Sequence, residues 1–458
     1  MLSNYRIVLS LLATYLLSAG ITCGDERLNR DYSPPESERQ LPLEMHSAMD
    51  ELPIVRVGVD EGDLVGRDNR VLQAAVEYIA ALGGGTVEIG AGEYLMRDSL
   101  HLRSGVHIVG QGEATVLRKA DGLALPLAID GDFGEQQITT VDHPSGFGVG
   151  QGLTVWVDGG GGFHTTVARI TGKKGNTYSF DKPLMTDCVI SLNAKAGTLF
   201  PVVSGYEISG ASIKGVTIEG NKEHNAHLNG CRGGGIFLYR GFGTVIEDCV
   251  VRNYNGDGIS FQQSNDVRVV NCISEGNTEL GLHPGSGSQR PTVQGCIARN
   301  NGTDGLFLCW RVRHGLFEDN LLENNGRFGI SIGHKDTDNL LKKNIVRLNH
   351  LNGIFFRDES LGMAGHRNRL VENVIEDNGR EPGTAAIRVR GETNDLVFEG
   401  NIVRDTRQDQ AQKTQTVGVQ LEESVGNVSL QDNQIEATNM VDDQRQVANT
   451  EENAGIER

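Results

Sequence analysis

The stretch GISFQQSNDVRVVNCISEGNTELGLHPGSGSQRPTVQGCIARNNGTDGLFLCW, residues 258–310, holds two full turns of a repeat. Each turn opens with a Gly and an aliphatic residue: Gly258-Ile259, Gly281-Leu282 and Gly305-Leu306, at steps of 23 and 24 residues. Only short alternating segments lie between these pairs, and none has helical periodicity. A repeat of this length with strands of about three to five residues predicts a solenoid of stacked β coils.

The repeat continues on both sides of this stretch, and two sets of polar residues follow it in phase. Further opening pairs are Gly235-Ile236, Gly329-Ile330, Gly353-Ile354, Ala386-Ile387 and Gly418-Val419. One polar set comprises Cys249, Cys272, Cys296, Asn320, Asn344, Asn373 and Asn401, and the other Asn253, Asn277, Asn301, Asn325, Asn349 and Asn378. Stacked Asn side chains can hydrogen-bond between coils. We therefore predict vertical Asn ladders, with the three Cys as buried free thiols rather than metal ligands or disulfides.

The remaining segments give the domain organisation. Residues 1–22 resemble a signal peptide, with Arg6 before an apolar run at residues 7–17, and residues 23–53 are a polar linker. We assign residues 54–435 to an all-β, right-handed parallel β-helix. It carries an amphipathic capping helix at residues 69–82 and a β-rich insertion at about residues 130–205. Residues 436–458 are acidic and amide-rich, which predicts a disordered tail.

Charge and composition limit the partners. The net charge of −18 and pI of about 5.1 argue against nucleic acid, because neutralising phosphates requires a basic surface. No segment is apolar enough for an integral membrane span. We expect a secreted or periplasmic protein. Cys23 offers the alternative of a lipid anchor, but Gly20-Ile21-Thr22 before it match a lipidation site poorly.

These patterns resemble the pectate-lyase-like (pectin lyase fold) β-helix superfamily. The resemblance rests on the ladders and on Leu72-Gln73-Ala74-Ala75, Gly83-Gly84-Gly85-Thr86-Val87 and Gly90-Ala91-Gly92-Glu93-Tyr94, and it covers most of residues 55–435. It implies the fold strongly and the activity weakly, since the superfamily includes lyases, hydrolases, epimerases and non-catalytic tail or surface proteins.

One face of the coils carries the candidate site. The aliphatic residue of each pair and the residue two positions later should point inward, so the residues between and after them should point outward. The predicted catalytic residues are His334, His283, Lys335 and Asp336; the predicted substrate-binding residues are Tyr239, Gln262, Trp310, Arg311, Arg313, Arg357, Asp358 and Arg388. Histidine suits proton transfer, arginine pairs with carboxylate or sulfate, and an aromatic ring stacks on sugars. No cofactor is certain; Asp336, Asp338, Asp358 and Glu359 leave calcium open.

The hypothesis that follows is an enzyme acting on an acidic (uronate or sulfated) polysaccharide. A polysaccharide lyase or a C5 epimerase removes a proton beside a carboxylate, which needs a base and cationic stabilisation. A non-catalytic carbohydrate-binding or surface solenoid is the main alternative, and a glycoside hydrolase is another. Asn255-Gly256-Asp257 matches one motif of the β-helix polygalacturonases, but Gln262-Gln263 lie where acids would be needed, and the other motifs are missing.

Overall fold

The computed structural model describes residues 51–445. These residues form coils whose strands build three parallel sheets, with one α-helix and an inserted antiparallel sheet. The fold is the predicted all-β, right-handed parallel β-helix with an N-terminal capping helix and a β-rich insertion. The predicted signal peptide and nearly all of the predicted linker lie outside the described residues.

Sheet 1 has eleven strands and bears the candidate site. Neighbouring strands pair in parallel and in register, so that Ile236 lies beside Ile259 and Ile259 beside Leu282. The strands are Leu100–His101, Val203–Tyr206, Ile236–Tyr239, Ile259–Gln262, Leu282–Gly285, Leu306–Phe307, Ile330–Ile332, Ile354–Phe356, Ala385–Val389, Val417–Leu421 and Asn439–Asp443.

Sheets 2 and 3 complete each coil. Sheet 2 comprises Ile54–Gly58, Gly85–Ile89, Val245–Glu247, Arg268–Val270, Thr292–Gln294, Leu316–Glu318, Leu340–Lys342, Arg369–Val371, Leu396–Glu399 and Val428–Gln431. Sheet 3 comprises Gly92–Met96, Val250–Arg252, Ile273–Glu275, Ile297–Arg299, Leu321–Glu323, Ile345–Arg347, Val374–Glu376, Ile402–Arg404 and Gln434–Glu436. The longer strands Val106–Lys119 and Ser212–Glu219 run through both, and Leu64–Val65 pairs with Ile54–Gly58.

The core is the column enclosed by the three sheets. The aliphatic residue of each opening pair and the residue two positions later are both buried there, as predicted; Ile259 and Phe261 are an example. Full burial of such a side chain contributes roughly 1.5–3 kcal/mol, and the alternation is repeated in each coil.

The corner between sheets 2 and 3, here called the asparagine corner, has the predicted ladder. Nδ2 of Asn320 donates to Oδ1 of Asn344 at 2.9 Å, and Asn344 donates likewise to Asn373 at 2.9 Å. Each Asn also donates to a backbone carbonyl of the preceding coil, such as Phe317 for Asn344. Cys249, Cys272 and Cys296 occupy the same slots as buried free thiols, which confirms that prediction.

The second ladder runs through the turns that precede sheet 1, and it differs by one residue from the prediction. Asn277, Asn301, Asn325, Asn349 and Asn378 are joined by hydrogen bonds between neighbouring coils. The slot before Asn277 belongs to Tyr254, whose backbone N–H donates to Oδ1 of Asn277. Asn253 is therefore outside the ladder, and its positive φ of 55° places it at the bend.

The helix α1, Asn69–Ala81, covers the first coils. Asp68 caps its N-terminus by accepting from the backbone N–H of Arg70, and Leu72, Ala75, Val76 and Ile79 are buried along one face. The other helices are single 3₁₀ turns at Gly162–His164, Ile190–Leu192, Lys222–His224 and Gln410–Gln412. None of the helices between residues 51 and 445 is both long and apolar enough to cross a bilayer.

The insertion is a six-stranded antiparallel barrel with its own core. Its strands, in order around the sheet, are Ala124–Pro126, Lys195–Gly197, Gly152–Trp156, Thr166–Lys174, Thr177–Phe180 and Gln137–Thr139. A bridge between Leu127 and Thr140 joins the first strand to the last. The interior holds residues such as Leu153, Tyr178 and Phe180. Compared with the predicted 130–205, the barrel begins earlier and ends before residue 198.

The C-terminal coil extends further than predicted. Asn439–Asp443 pairs in parallel with Val417–Leu421, although residues from 436 onward were assigned to a disordered tail. The sequence analysis missed this strand because its residues are polar. As the last described strand of sheet 1 it has a neighbour on one side only, so it needs few buried apolar side chains.

Candidate functional site

The site lies on the outer face of sheet 1 and in the turns on either side of it. We call the turns before its strands leading turns (253–258, 276–281, 300–305, 324–329, 348–353) and those after them trailing turns (286–291, 308–315, 333–339, 357–368). A strap, residues 220–235, crosses the face of the early coils. Ser260 Oγ donates to the Gly230 carbonyl at 2.7 Å, so the strap lies directly on sheet 1.

A buried polar centre lies beneath the strap. Nδ1 of His283 is 2.6 Å from Oδ2 of Asp257, and Nε2 of His283 is 3.5 Å from the Gln262 amide nitrogen. Asp257, Gln262 and His283 are all buried. Burial raises the pKa of Asp257, and the His283 ring partly opposes this.

The strap is fitted to this centre. A Cβ on Gly230 would lie 1.7 Å from Oδ2 of Asp257, so only glycine allows the backbone to approach this closely. His227 of the strap pairs with Glu279 at 3.0 Å. The Arg232 guanidinium lies 5.6 Å from the ring centroids of both Phe163 and Tyr239, which covers the predicted binding residue Tyr239. His283, Gln262 and Tyr239 are therefore brought together, but they lie under a cover.

A second, more exposed centre is formed by the trailing turns of later coils. Nε2 of His334 lies 2.7 Å from Oε1 of Glu359, and the His334 ring packs against Trp310 at a centroid distance of 5.2 Å. Trp310 is 40% exposed, and the exposed Arg311 guanidinium lies 5.9 Å from the Trp310 ring. This centre offers an aromatic surface, a cation and a histidine–carboxylate pair to solvent.

The backbone aims these side chains outward. Trp310, Arg311, His334 and Lys335 all have positive φ, between 49° and 71°. Non-glycine residues rarely adopt this conformation, and two consecutive pairs of them mark strained turns of the kind found at functional sites. Burial first, and the Arg357 guanidinium second, lower the pKa of His334, while Glu359 opposes the shift. The imidazole is therefore neutral near pH 7.

Asp336 and Arg357 are not available in the roles predicted for them. Nη2 of Arg357 donates to Oδ2 of Asp336 at 3.0 Å and to the Leu308 carbonyl, and Nη1 donates to Ser331. Asp336 is fully buried and also accepts from two backbone N–H groups. Burial raises the pKa of Asp336 to about 7. The pair braces the trailing turn, so Asp336 does not reach substrate as a catalytic acid and Arg357 is not a free clamp.

The other predicted residues lie around the exposed centre. Lys335 is half-buried, and no ion pair of its ammonium is found within residues 51–445. Arg388 pairs with Glu422, and Asp358 pairs with Arg390, on the following coils. Arg313 lies in a trailing turn, where its Nε is buried without a partner.

The acids considered for calcium do not gather. Asp336 pairs with Arg357, Asp338 with Arg367, Asp358 with Arg390 and Glu359 with His334. Across the described part of the chain, no group of three or more His, Cys, Asp or Glu is placed to hold a metal ion.

The two centres are separate. His283 and His334 belong to coils two steps apart, which places their strands about 10 Å apart along the stack. They are linked through Phe307, whose ring lies 5.4 Å from the His283 ring and 4.4 Å from the Arg357 guanidinium. The two histidines therefore have different neighbours and lie in different centres, whereas the register grouped them in one catalytic set.

Unpaired buried atoms mark the same region. Within residues 51–445, nine buried side-chain nitrogen or oxygen atoms have no hydrogen-bond partner: Arg232 Nε, Thr244 Oγ1, Gln262 Oε1, Ser286 Oγ, Thr303 Oγ1, Asp304 Oδ2, Arg313 Nε, His334 Nδ1 and Arg357 Nε. All of them lie on sheet 1, in the strap or in the turns beside sheet 1. Such atoms cost free energy and are expected where function opposes stability.

Two residues beside these centres were missing from the predicted site. Asp257 and Asp304 directly precede opening glycines, where other coils have Leu280, Phe328 or Asn352, and this contrast was the available signal. Burial raises the pKa of Asp304 to about 6. Glu359 was considered only as a calcium ligand, because its pairing with His334 depends on the enlarged trailing turn at 357–368.

Comparison with known proteins gives matches along most of the coils. The family described as "Right handed beta helix region" matches residues 203–363. Mannuronan C5-epimerase AlgE2 of Azotobacter vinelandii is 26% identical over 330 residues, which are 70% of this chain and 24% of that protein. The chain thus spans about a quarter or less of the length of the curated relatives that it matches.

Solved structures share the fold at low sequence identity. The A-module of mannuronan C-5 epimerase AlgE6 from Azotobacter vinelandii has a TM-score of 0.55 at 15% identity, covering 82% of this chain and 91% of that one. The catalytic domain of a GH87 α-1,3-glucanase has a TM-score of 0.51 at 12% identity, covering 80% and 57%. With its three parallel sheets, its ladders and these matches, the chain is a right-handed parallel β-helix.

Proposed function

We propose that this protein is an exported enzyme that acts on an acidic polysaccharide, as a lyase or a C5 epimerase, at the centre built by Trp310, His334 and Glu359. The observation that carries the proposal is the carboxylate-paired His334 packed against an exposed Trp310. The similarity to mannuronan C5-epimerases, which act on a uronate polymer by name, supports the substrate class.

The chemistry follows from the contacts. Both reactions begin when a base removes the proton from C5 of a uronate, leaving negative charge shared with the adjacent carboxyl group. Arg311 and Lys335, on neighbouring trailing turns, supply cations for that carboxyl group, and Trp310 supplies a face for the sugar ring. When the sugar takes the place of Glu359 at Nε2, the neutral ring carries its hydrogen on Nδ1 and Nε2 accepts the C5 proton; the nearby Glu359 carboxylate stabilises the resulting imidazolium by its charge. Expulsion of the C4 substituent gives a lyase, and return of a proton to the opposite face gives an epimerase.

The test follows breakage of the C5–H bond, because both reactions require it. Polymannuronate, polyguluronate, polygalacturonate and a sulfated glycan are incubated with the protein in D₂O, and deuterium at C5 and unsaturated ends are measured by NMR and ultraviolet absorbance. An epimerase places deuterium at C5 and a lyase produces unsaturated ends, and one of these products is expected from at least one uronate polymer.

The matched variants are His334→Asn and His314→Asn. Both histidines have positive φ, which Asn tolerates, and His314 is exposed in the preceding trailing turn. His334→Asn should lower the rate of product formation by roughly 10²–10⁴, the range for loss of a general base, and His314→Asn should leave it unchanged. Binding of a uronate polymer by the unaltered protein with neither deuterium at C5 nor unsaturated ends would instead identify a recognition surface.

A further inference from the structure

A pocket of about 190 Å³ lies where the inserted barrel meets the first coils of sheet 1. Its solenoid wall includes His101 and Tyr206, from adjacent strands of sheet 1, and its barrel wall includes Arg169. Pockets for drug-sized ligands have volumes of roughly 300–1,000 Å³, so this one fits a smaller molecule.

A chain of hydrogen bonds fixes the polar wall of the pocket. Ser204 Oγ lies 3.0 Å from Nδ1 of His101, and Nε2 of His101 lies 3.0 Å from Oδ2 of Asp98. The same carboxyl oxygen lies 3.3 Å from Nε of Arg169, which also approaches Asp181 at 3.9 Å. Asp98 and Ser204 are buried. The wall is therefore preorganised before any ligand arrives.

Lys182 is the group whose charge this network does not neutralise. Its Nζ lies 3.5 Å from the centroid of the Tyr206 ring, and no carboxylate of the described residues lies within ion-pairing distance of it. Burial lowers the pKa of Lys182; the Asp181 and Asp98 carboxylates oppose this shift, and Arg169 and Arg232 add to it. The Tyr206 hydroxyl also has no hydrogen-bond partner among residues 51–445.

The local charge is positive. Lys182, Arg169 and Arg232 contribute three cations, whereas Asp98 and Asp181 contribute two carboxylates. Arg103, also at the pocket, is paired with Glu77 at 2.5 Å. Arg232 has a buried Nε without a partner, which adds an unsatisfied donor close to the pocket. An anion would neutralise the surplus charge.

We propose that this pocket binds a small hydroxylated carboxylate of about one uronic acid residue in size. Its carboxylate pairs with the Lys182 ammonium, and its hydroxyl groups hydrogen-bond to the Tyr206 hydroxyl and the Asp181 carboxylate. The strap separates the pocket from the His334 centre, because Arg232 covers Tyr239 on the next coil. The pocket is therefore a second site, and it does not depend on the proposed catalysis.

The experiment is calorimetric titration of the full protein with sodium D-glucuronate, D-glucose, sodium sulfate and a glucuronate-terminated oligosaccharide. Glucuronate should bind measurably better than either glucose or sulfate. Binding of the monosaccharide alone would identify a free sugar acid as the ligand, and comparable or tighter binding of the oligosaccharide would identify a chain end.

The variants assign the binding to the pocket. Lys182→Met should weaken glucuronate binding about tenfold or more, Lys182→Arg should largely retain it, and Lys174→Met, at an exposed lysine of the barrel, should have no effect. His334→Asn should bind glucuronate normally, which separates this site from the proposed catalytic one. Equal affinity of the unaltered protein for sulfate and glucuronate, no binding of glucuronate, or full binding by Lys182→Met would overturn the proposal.

Discussion

The asparagine corner and the rims of sheet 1, meaning its leading and trailing turns, belong to the same coils but treat polar groups differently. In the asparagine corner, Asn344 donates to Asn373 and to the Phe317 carbonyl and accepts two hydrogen bonds from Asn320. The second ladder in the leading turns is paired in the same way, but His334, Arg357 and Asp304 of the rims each keep a buried atom without a partner. The same coils thus combine ladders of paired side chains with rim residues that retain unused hydrogen-bonding capacity.

The difference has a geometric cause. Turns in the asparagine corner have the same length in each coil from Asp248 onward, so one residue type can repeat in register. The trailing turns range from short connections to the 357–368 segment, and their residues contact partners that are unique to each coil. Uniform turns form ladders, whereas variable turns bring together side chains such as Trp310, His334 and Glu359.

The largest expected effect tests the asparagine corner. Asn344→Leu removes partners from the Asn320 amide and backbone N–H, the Phe317 carbonyl and the Asn373 side chain, all of them buried. We expect a loss of about 3–5 kcal/mol in the free energy of unfolding, measured by urea denaturation. Ile345→Leu, at the neighbouring exposed position, should change it by less than about 0.5 kcal/mol. Similar values for both variants would show that the ladder does not stabilise the coils.

The next effect has the opposite sign and tests a rim. Burial raises the pKa of Asp304 to about 6 from an ordinary 3.8, so the folded state binds the proton more tightly than the unfolded state. The stabilisation from this proton is complete below about pH 4 and is lost as the pH rises through 6. Asp304→Asn should therefore raise the free energy of unfolding at pH 7 by about 1–3 kcal/mol and change it little at pH 4. Destabilisation at pH 7 would show that the Asp304 charge is satisfied.

A smaller effect is expected on the acid limb of the pH–rate profile, which is the low-pH range where turnover of a uronate polymer falls. Glu359 raises the pKa of His334, so Glu359→Gln should lower that pKa further. The pH below which turnover falls should move down by roughly 0.5–1 unit, because the base form persists to lower pH. At pH 7 the rate should fall about tenfold, since the imidazolium loses its partner. An acid limb that does not move would exclude His334 as the titrating base.

The smallest expected effect returns to the asparagine corner. Cys296→Asn places an amide where the thiol now donates to the Val269 carbonyl and where Asn320 already supplies an acceptor to the backbone N–H. The ladder would gain a member, and the free energy of unfolding should change by less than about 1 kcal/mol. A loss of several kcal/mol would show that the thiol slot is shaped differently from the Asn slots.

The sequence predicted the coils well because their contacts repeat at a fixed separation. Ile259, Asn320 and Cys296 each recur one coil away, so the period alone places them. The strand Asn439–Asp443 was missed because its position at the end of the stack requires little apolar sequence.

The site was predicted only in part. Trp310 and His334 lie side by side in trailing turns, as expected for two residues one coil apart in the repeat. The sequence did not reveal that the strap covers His283 or that Arg357 turns back onto Asp336, because both depend on contacts between segments of unrelated spacing. Register thus predicts which residues become neighbours, but not what covers them.

The inserted barrel has a consequence for the order of folding. Strand Val106–Lys119 pairs directly with Ser212–Glu219, although the barrel separates them in the chain. Closing so long a flexible loop would cost conformational entropy before the pairing contributed any stability. The barrel removes this cost when it folds first, because the Thr198 backbone N–H donates to the Leu123 carbonyl at 2.9 Å and brings the ends of the insertion together. We therefore expect the barrel to form early, and the coils to assemble across it as though the insertion were a short turn.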